Sequence, residues 1–154
     1  SIEPGAILRA ELPLEVLESG LVCLIVPVQH LVDVRGLLPA EQSLDTLLQH
    51  LGAECLVAFC LETLAPDCQV HARVFAPPLG VVEDPATGAA SGALAAYLLR
   101  HGVVSADLSG GFCCEQGSEM GRPSRIEVRF DEGSPPNVHV GGAVARSAQG
   151  TVFF

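Results

Sequence analysis

The stretch Arg73-Val-Phe-Ala-Pro-Pro-Leu-Gly80, continued by Glu83-Asp-Pro-Ala-Thr-Gly88 and Ala89-Ala-Ser-Gly-Ala-Leu-Ala-Ala-Tyr-Leu-Leu-Arg-His-Gly102, decides the fold of this chain. It reads as a strand, a rigid turn carrying two carboxylates, and a helix over about 88–101 with no charge before Arg100. A helix that is apolar on every side must be buried on every side. Its alanines and glycines let neighbouring backbone come close, and Gly102 stops it.

Around that helix the chain is rich in short strand-like runs: Ala6–Glu11, Leu21–Gln29, Glu54–Cys60, Gln69–Ala76, Gly111–Gln116, Arg125–Asp131, Asn137–Val140, Ala143–Ser147 and Thr151–Phe154. Ile126-Glu-Val-Arg-Phe130 alternates apolar and polar residues, the mark of a half-buried antiparallel strand. Gly133-Ser-Pro-Pro136 and Gly141-Gly142 punctuate the series. A second, amphipathic helix is expected over about 40–51, where Leu44, Leu47, Leu48 and Leu51 share one face and Gly52 follows as the cap. One fully apolar helix among many strands predicts an α+β fold, a curved and mostly antiparallel sheet wrapped around the buried helix.

At 154 residues the chain reads as a single domain, 1–154, large enough to bury a core. It is 49% hydrophobic, yet holds no 18-residue apolar run, so no membrane span is expected. Its first residues, Ser-Ile-Glu-Pro-Gly, do not follow a secretory pattern. Eight arginines, no lysine and 18 carboxylates leave a net charge of -10, which excludes a nucleic-acid partner. Cys23, Cys55, Cys60 and Cys68 lie in or beside apolar segments, as free thiols packed like small hydrophobes would. Cys113 and Cys114 point to opposite faces of a strand. The histidines are scattered and no C-x-x-C occurs, so no metal is expected and a reducing, cytoplasmic setting is.

The chemistry gathers at the start of the apolar helix. Asp84-Pro85 is a helix-entry pair, with Asp able to accept backbone N–H bonds and Pro tolerated just after it. Thr87 is a second candidate cap if the helix starts at Gly88. Gly88 bares the N–H groups of Ala89 and Ala90, and the helix dipole favours an anion there. Glu83 beside Asp84 is costly against an apolar helix unless it faces a wet cleft. Arg73, next to the motif, is a candidate for orienting a carboxylate, with local pairing as the plainer alternative.

The string R-x-F-x-P-x-x-G-x-x-E-D-P-A-T-G, present as Arg73, Phe75, Pro77, Gly80 and Glu83 to Gly88, resembles the signature of the PhzF-like isomerases, relatives of the phenazine-biosynthesis isomerase with the fold of diaminopimelate epimerase. Glu18-Ser-Gly-Leu with Leu24-Ile-Val-Pro-Val28 resembles an opening strand, while Glu115-Gln-Gly, Met120-Gly-Arg-Pro-Ser124 and Val140-Gly-Gly142 resemble closing segments. The resemblance implies one of two lobes, the C-terminal one, with the active site between lobes. It implies a cofactor-independent proton shift on a small carboxylate-bearing substrate, with Asp84 catalytic. Glu83, Thr87, Gly88, Ala89, Ala90 and Arg73 would bind that substrate. The first lobe's catalytic glutamate has no counterpart here, and the serine usual after T-G is replaced by Ala89, with Ser91 two residues on. The expected partner is therefore a second copy in a homodimer or a separate N-terminal lobe. The alternative is a non-catalytic small-acid-binding or assembly module that kept the fold.

Overall fold

A computed structural model describes residues 12–104, 111–131, 133 and 137–153. Its elements run β1 (Glu15–Glu18), β2 (Val22–Pro27), α1 (Leu31–Arg35), α2 (Glu41–Leu51), β3 (Cys55–Cys60), β4 (Val70–Ala76), β5 (Val81–Asp84), α3 (Gly88–Arg100), β6 (Phe112–Gln116), β7 (Ser124–Phe130) and β8 (Val138–Gly141). The strands form one sheet in the order β1-β2-β3-β4-β6-β7-β8, with β5 paired to β4 off that path. Pairs β2–β3 and β4–β6 are parallel; the others are antiparallel, as the many short strands predict.

β4 shows why the sheet carries a core on each face. Val70, Ala72, Val74 and Ala76 point inward to α3, and His71 and Phe75 point outward, where Phe75 joins the layer under α1 and α2. Successive strand side chains alternate faces, so a run buried on both sides is apolar almost throughout. The inner core packs Ile25, Val57, Phe59 and Val128 around Ala93, Leu94, Tyr97 and Leu98 of α3. Tyr97 is fully buried, meets Phe59 edge-on at 5.7 Å and donates its hydroxyl to Pro13 O at 2.6 Å. The outer core seats Leu44 and Leu48 of α2 with Val34 of α1. Leu48 is sealed from solvent, so Leu48→Ala would cost about 2–5 kcal/mol.

The sheet curls around α3 without closing. Ala96 of α3 is exposed, and Gly92, on the same side of the helix, sits between the two sheet edges. A side chain at Gly92 would lie 2.9 Å from Ser19 Oγ, just past β1, and 3.9 Å from Val140 of β8. The close approach expected of the small residues in this helix is thus located at Gly92.

Both expected helices are present within a residue of their limits, and Gly52 caps α2 with a left-handed φ of 65°. Three elements were not expected: β1, the short α1 and β5. The two carboxylates therefore end a strand rather than occupy a turn, because Val81 and Val82 extend the pairing with β4. The runs Ala143–Ser147 and 151–153 form no strand, and Ala6–Glu11 lies outside the described residues. Cys68 is not a free thiol: it is bonded to Cys113, held beside it by the Gln69 N to Cys113 O hydrogen bond at 2.9 Å. Cys23, Cys55, Cys60 and Cys114 are free and buried. Among the described residues no helix is long and apolar enough to cross a membrane.

Candidate active site

One strand, β4, brings the site together. β5 pairs with its C-terminal half and β6 with its N-terminal half, on the same edge. Asp84 stands opposite Val74 and Gln116 opposite Ala72. Two residues along a strand span about 6.7 Å, so the end of β5 and the end of β6 meet. Where they meet, Gly117 adopts a φ of +81°. A Cβ there would fall 2.7 Å from Pro85 O and 2.5 Å from Arg122 O, so only glycine lets these segments touch.

Asp84 is half-buried and does not cap α3. The helix starts at Gly88 with Thr87 in the capping position, but the Thr87 hydroxyl donates to Asp84 Oδ2 at 2.5 Å instead of accepting from the helix. Gln116, which sequence reasoning did not single out, ties the turn down. Its Nε2 donates to Asp84 O at 2.6 Å and to Thr87 Oγ1 at 3.1 Å, and its Oε1 accepts from Thr87 N at 3.3 Å. The signal for it was only its place in the Glu115-Gln-Gly segment.

The first intrahelical bond of α3 runs from Ser91 N to Thr87 O at 3.0 Å. The amides of Gly88, Ala89 and Ala90 therefore precede the hydrogen-bond ladder, the arrangement that receives an anion. A Cβ on Gly88 would make only an ordinary contact, 3.8 Å from Val140, so internal packing does not demand glycine there. Ser91 does not substitute for the serine replaced by Ala89: its hydroxyl turns back to Thr87 O at 2.9 Å.

Gly88, the first of these residues, lines a groove of about 580 Å³ whose walls also include Ala86, Pro123, Arg125, Val140 and Gly142. Three segments far apart in sequence thus share one depression. Arg125 supplies a cation at its wall and is held by Asp67, through Nη1 to Oδ1 at 3.1 Å and a second contact between Nη2 and Oδ2.

Arg73 and Glu83 lie apart from this groove and engage each other. Arg73 Nε and Nη2 each donate to one Glu83 carboxylate oxygen at 2.8 Å, and Nη1 donates to the carbonyls of Val34, Arg35 and Leu37. The Arg73 side chain is 6% exposed and that of Glu83 13%. The plainer reading of Arg73, local pairing, describes this geometry, and Glu83 is solvated by a guanidinium rather than by a cleft.

Beside them His71 is fully buried, with Nδ1 2.7 Å from Glu115 Oε1 and Nε2 3.4 Å from Glu119 Oε2. Burial pushes the Glu115 carboxyl up, but donation from Leu64 N, His71 and Ala65 N outweighs it and holds the group below its ordinary value. Among the described residues no three His, Cys, Asp or Glu side chains group as a metal ion would need.

A family model described as "Phenazine biosynthesis-like protein" matches residues 3–150. The chain belongs to the phenazine biosynthesis-like, or PhzF, family. It is 30% identical over 145 residues to an uncharacterised isomerase, YfhB, of Bacillus subtilis, covering 94% of this chain and 46% of that protein. Over 86 residues, 53% of this chain and 30% of the relative, it is 41% identical to the trans-2,3-dihydro-3-hydroxyanthranilate isomerase of Pseudomonas chlororaphis. A PhzF-family crystal structure from Bacillus anthracis superposes with a TM-score of 0.71 at 27% identity, over 84% of this chain and 44% of that one. The chain thus spans about half the length of the relatives it matches. The PhzF resemblance of the motif string and the epimerase-like α+β fold both hold.

Proposed function

We propose that this chain supplies the Asp84-bearing half of a PhzF-type isomerase site. The observation that carries the reading is the convergence of Ala86 and Gly88, just after Asp84, with Pro123–Ile126 and Val140–Gly142 at the start of α3. The amides of Gly88, Ala89 and Ala90, with Arg125 at the wall, receive the substrate carboxylate. A carboxylate there gains about 0.3–1 kcal/mol from the helix dipole, and more where partly buried. That anchoring sets a carbon-bound proton against Asp84. The reaction is an internal proton shift: a proton leaves one carbon and returns at another, with no metal, organic cofactor, oxidant or reductant in the balance.

Asp84 supplies one acid–base group, and the complementary group comes from the other half of the site. A second copy of this chain or a separate N-terminal lobe provides it, and the half-length match to the relatives supports that division. Two-fold pairing would set two such helix ends across one cleft. We place the protein in the cytoplasm on its four buried free thiols; the Cys68–Cys113 bond is the observation against that placement.

The test uses trans-2,3-dihydro-3-hydroxyanthranilate, named for the Pseudomonas relative, in deuterated buffer. Deuterium at carbon is followed by NMR, with sedimentation on the same samples. A dimer of the parent chain should incorporate deuterium, and Asp84→Asn, which keeps the fold, should not. Equal incorporation by both rejects Asp84 as the acid–base group. No incorporation by a dimer rejects self-complementation.

A further inference from the structure

The turn that carries Asp84 is governed by a side chain almost sealed from solvent. Gln116 is 1% exposed and all its polar capacity in this region is directed at two residues, Asp84 and Thr87. Its orientation is not free to invert. Turning the amide over would set Oε1 against the Asp84 carbonyl and the NH₂ group against the Thr87 N–H, acceptor on acceptor and donor on donor.

With that orientation fixed, the Thr87 hydroxyl has one remaining choice. It accepts a hydrogen from Gln116 Nε2, and its own single hydrogen is directed to Asp84 Oδ2. The chain Gln116 N–H to Thr87 O–H to Asp84 carboxylate polarises along its length. Among the described residues no protein donor reaches Asp84 Oδ1, which leaves that oxygen for a substrate proton.

We infer that Gln116 is a positioning residue that commits the Thr87 hydroxyl hydrogen to Asp84 Oδ2 and so fixes which carboxylate oxygen meets substrate. The inference rests on the proposal that Asp84 moves the substrate proton. It adds the residue on which the geometry of that step depends. Substrate affinity belongs to the amides of Gly88 to Ala90 and is separate from it.

The experiment compares Gln116→Met, which keeps the volume and removes both donors, with the parent chain. The unliganded protein is read first, by the Thr87 hydroxyl proton and its through-bond coupling to the Asp84 side-chain carboxyl carbon. Benzoate affinity is then followed at the Gly88, Ala89 and Ala90 amides, and the deuterium exchange rate at saturation is measured. The parent should show the coupling and Gln116→Met should lose it. Exchange should fall about tenfold, the worth of one hydrogen bond, while benzoate affinity stays within twofold. Survival of the hydroxyl coupling in Gln116→Met overturns the inference, as does a fall in affinity equal to the fall in rate. Loss of the coupling in a family of proteins that show no exchange at all rejects only the proton-transfer reading of Asp84. Should Gln116→Met fail to fold, Gln116→Asn, polar but too short to reach both residues, takes its place under the same outcomes.

Discussion

Replacing Glu83 by Gln separates a structural clamp from a substrate contact. Arg73 gives two hydrogens to the Glu83 carboxylate and Nη1 to three carbonyls at the end of α1, so one guanidinium joins β4, β5 and α1. Gln keeps the shape and one acceptor oxygen, but turns an NH₂ group toward an Arg73 donor. One charge-assisted bond, worth about 1.5–3 kcal/mol, is lost. The guanidinium is also left nearly buried with no counter-charge, and breaking such a pair costs about 3–5 kcal/mol in all. For a chain of this size that lowers the melting temperature by roughly 10 °C. Urea and thermal unfolding measure the loss, and benzoate binding at the α3 amides serves as the second readout. Arg73→Met with Glu83→Gln should cost much less than the sum of the single changes, because neither charge is then stranded. A loss below about 1 kcal/mol for Glu83→Gln, together with weakened benzoate binding, would refute the clamp and restore Glu83 to the substrate.

Gly117→Ala should destabilise the chain by at least about 2 kcal/mol in thermal melts, since left-handed backbone and a collision with Pro85 O and Arg122 O add. Gly121→Ala, at a similar φ of 68° with open space around it, should cost only about 1 kcal/mol. Glu115 is held below its ordinary value in the fold, so its stabilisation is present above the unfolded value, about pH 4.3, and is lost as pH falls through the lower folded value. Glu115→Gln should therefore flatten the acid side of a plot of urea midpoint against pH. Burial pushes the Cys60 and Cys114 thiols up to about 12, so a thiol reagent at neutral pH should label neither of them quickly in the folded protein. Unfolding should release the four free thiols, and reduction the remaining pair.

The buried helix was legible because α3 lacks charge along most of its length, and the many short strand-like runs beside it point to a sheet as its cover. The amphipathic α2 was legible from its leucine spacing. β5 was hidden because Val81-Val-Glu-Asp84 has only four residues, and its strand character comes from pairing with β4 rather than from its own pattern. α1 has a single turn and a half and gains its place by giving carbonyls to Arg73, a contact that spans nearly forty positions. At the site, the place of Asp84 just ahead of a bare helix end could be read from adjacent residues. Gln116 could not be placed there, because its approach depends on β5 and β6 sharing β4 as a template. For the same reason Arg73 and Glu83, ten residues apart, could not be told from substrate ligands until their pairing was seen. The Cys68–Cys113 bond likewise joins positions 45 apart whose neighbours carry no framework spacing.

The central claim is that the start of α3 receives a small carboxylate beside Asp84. It is tested most directly by titrating the ¹⁵N-labelled chain with benzoate, and in parallel with neutral benzamide. The account predicts that the amides of Gly88, Ala89 and Ala90 shift together and saturate with benzoate and not with benzamide. Unmoved amides at these three positions, or equal shifts with both compounds, would contradict it.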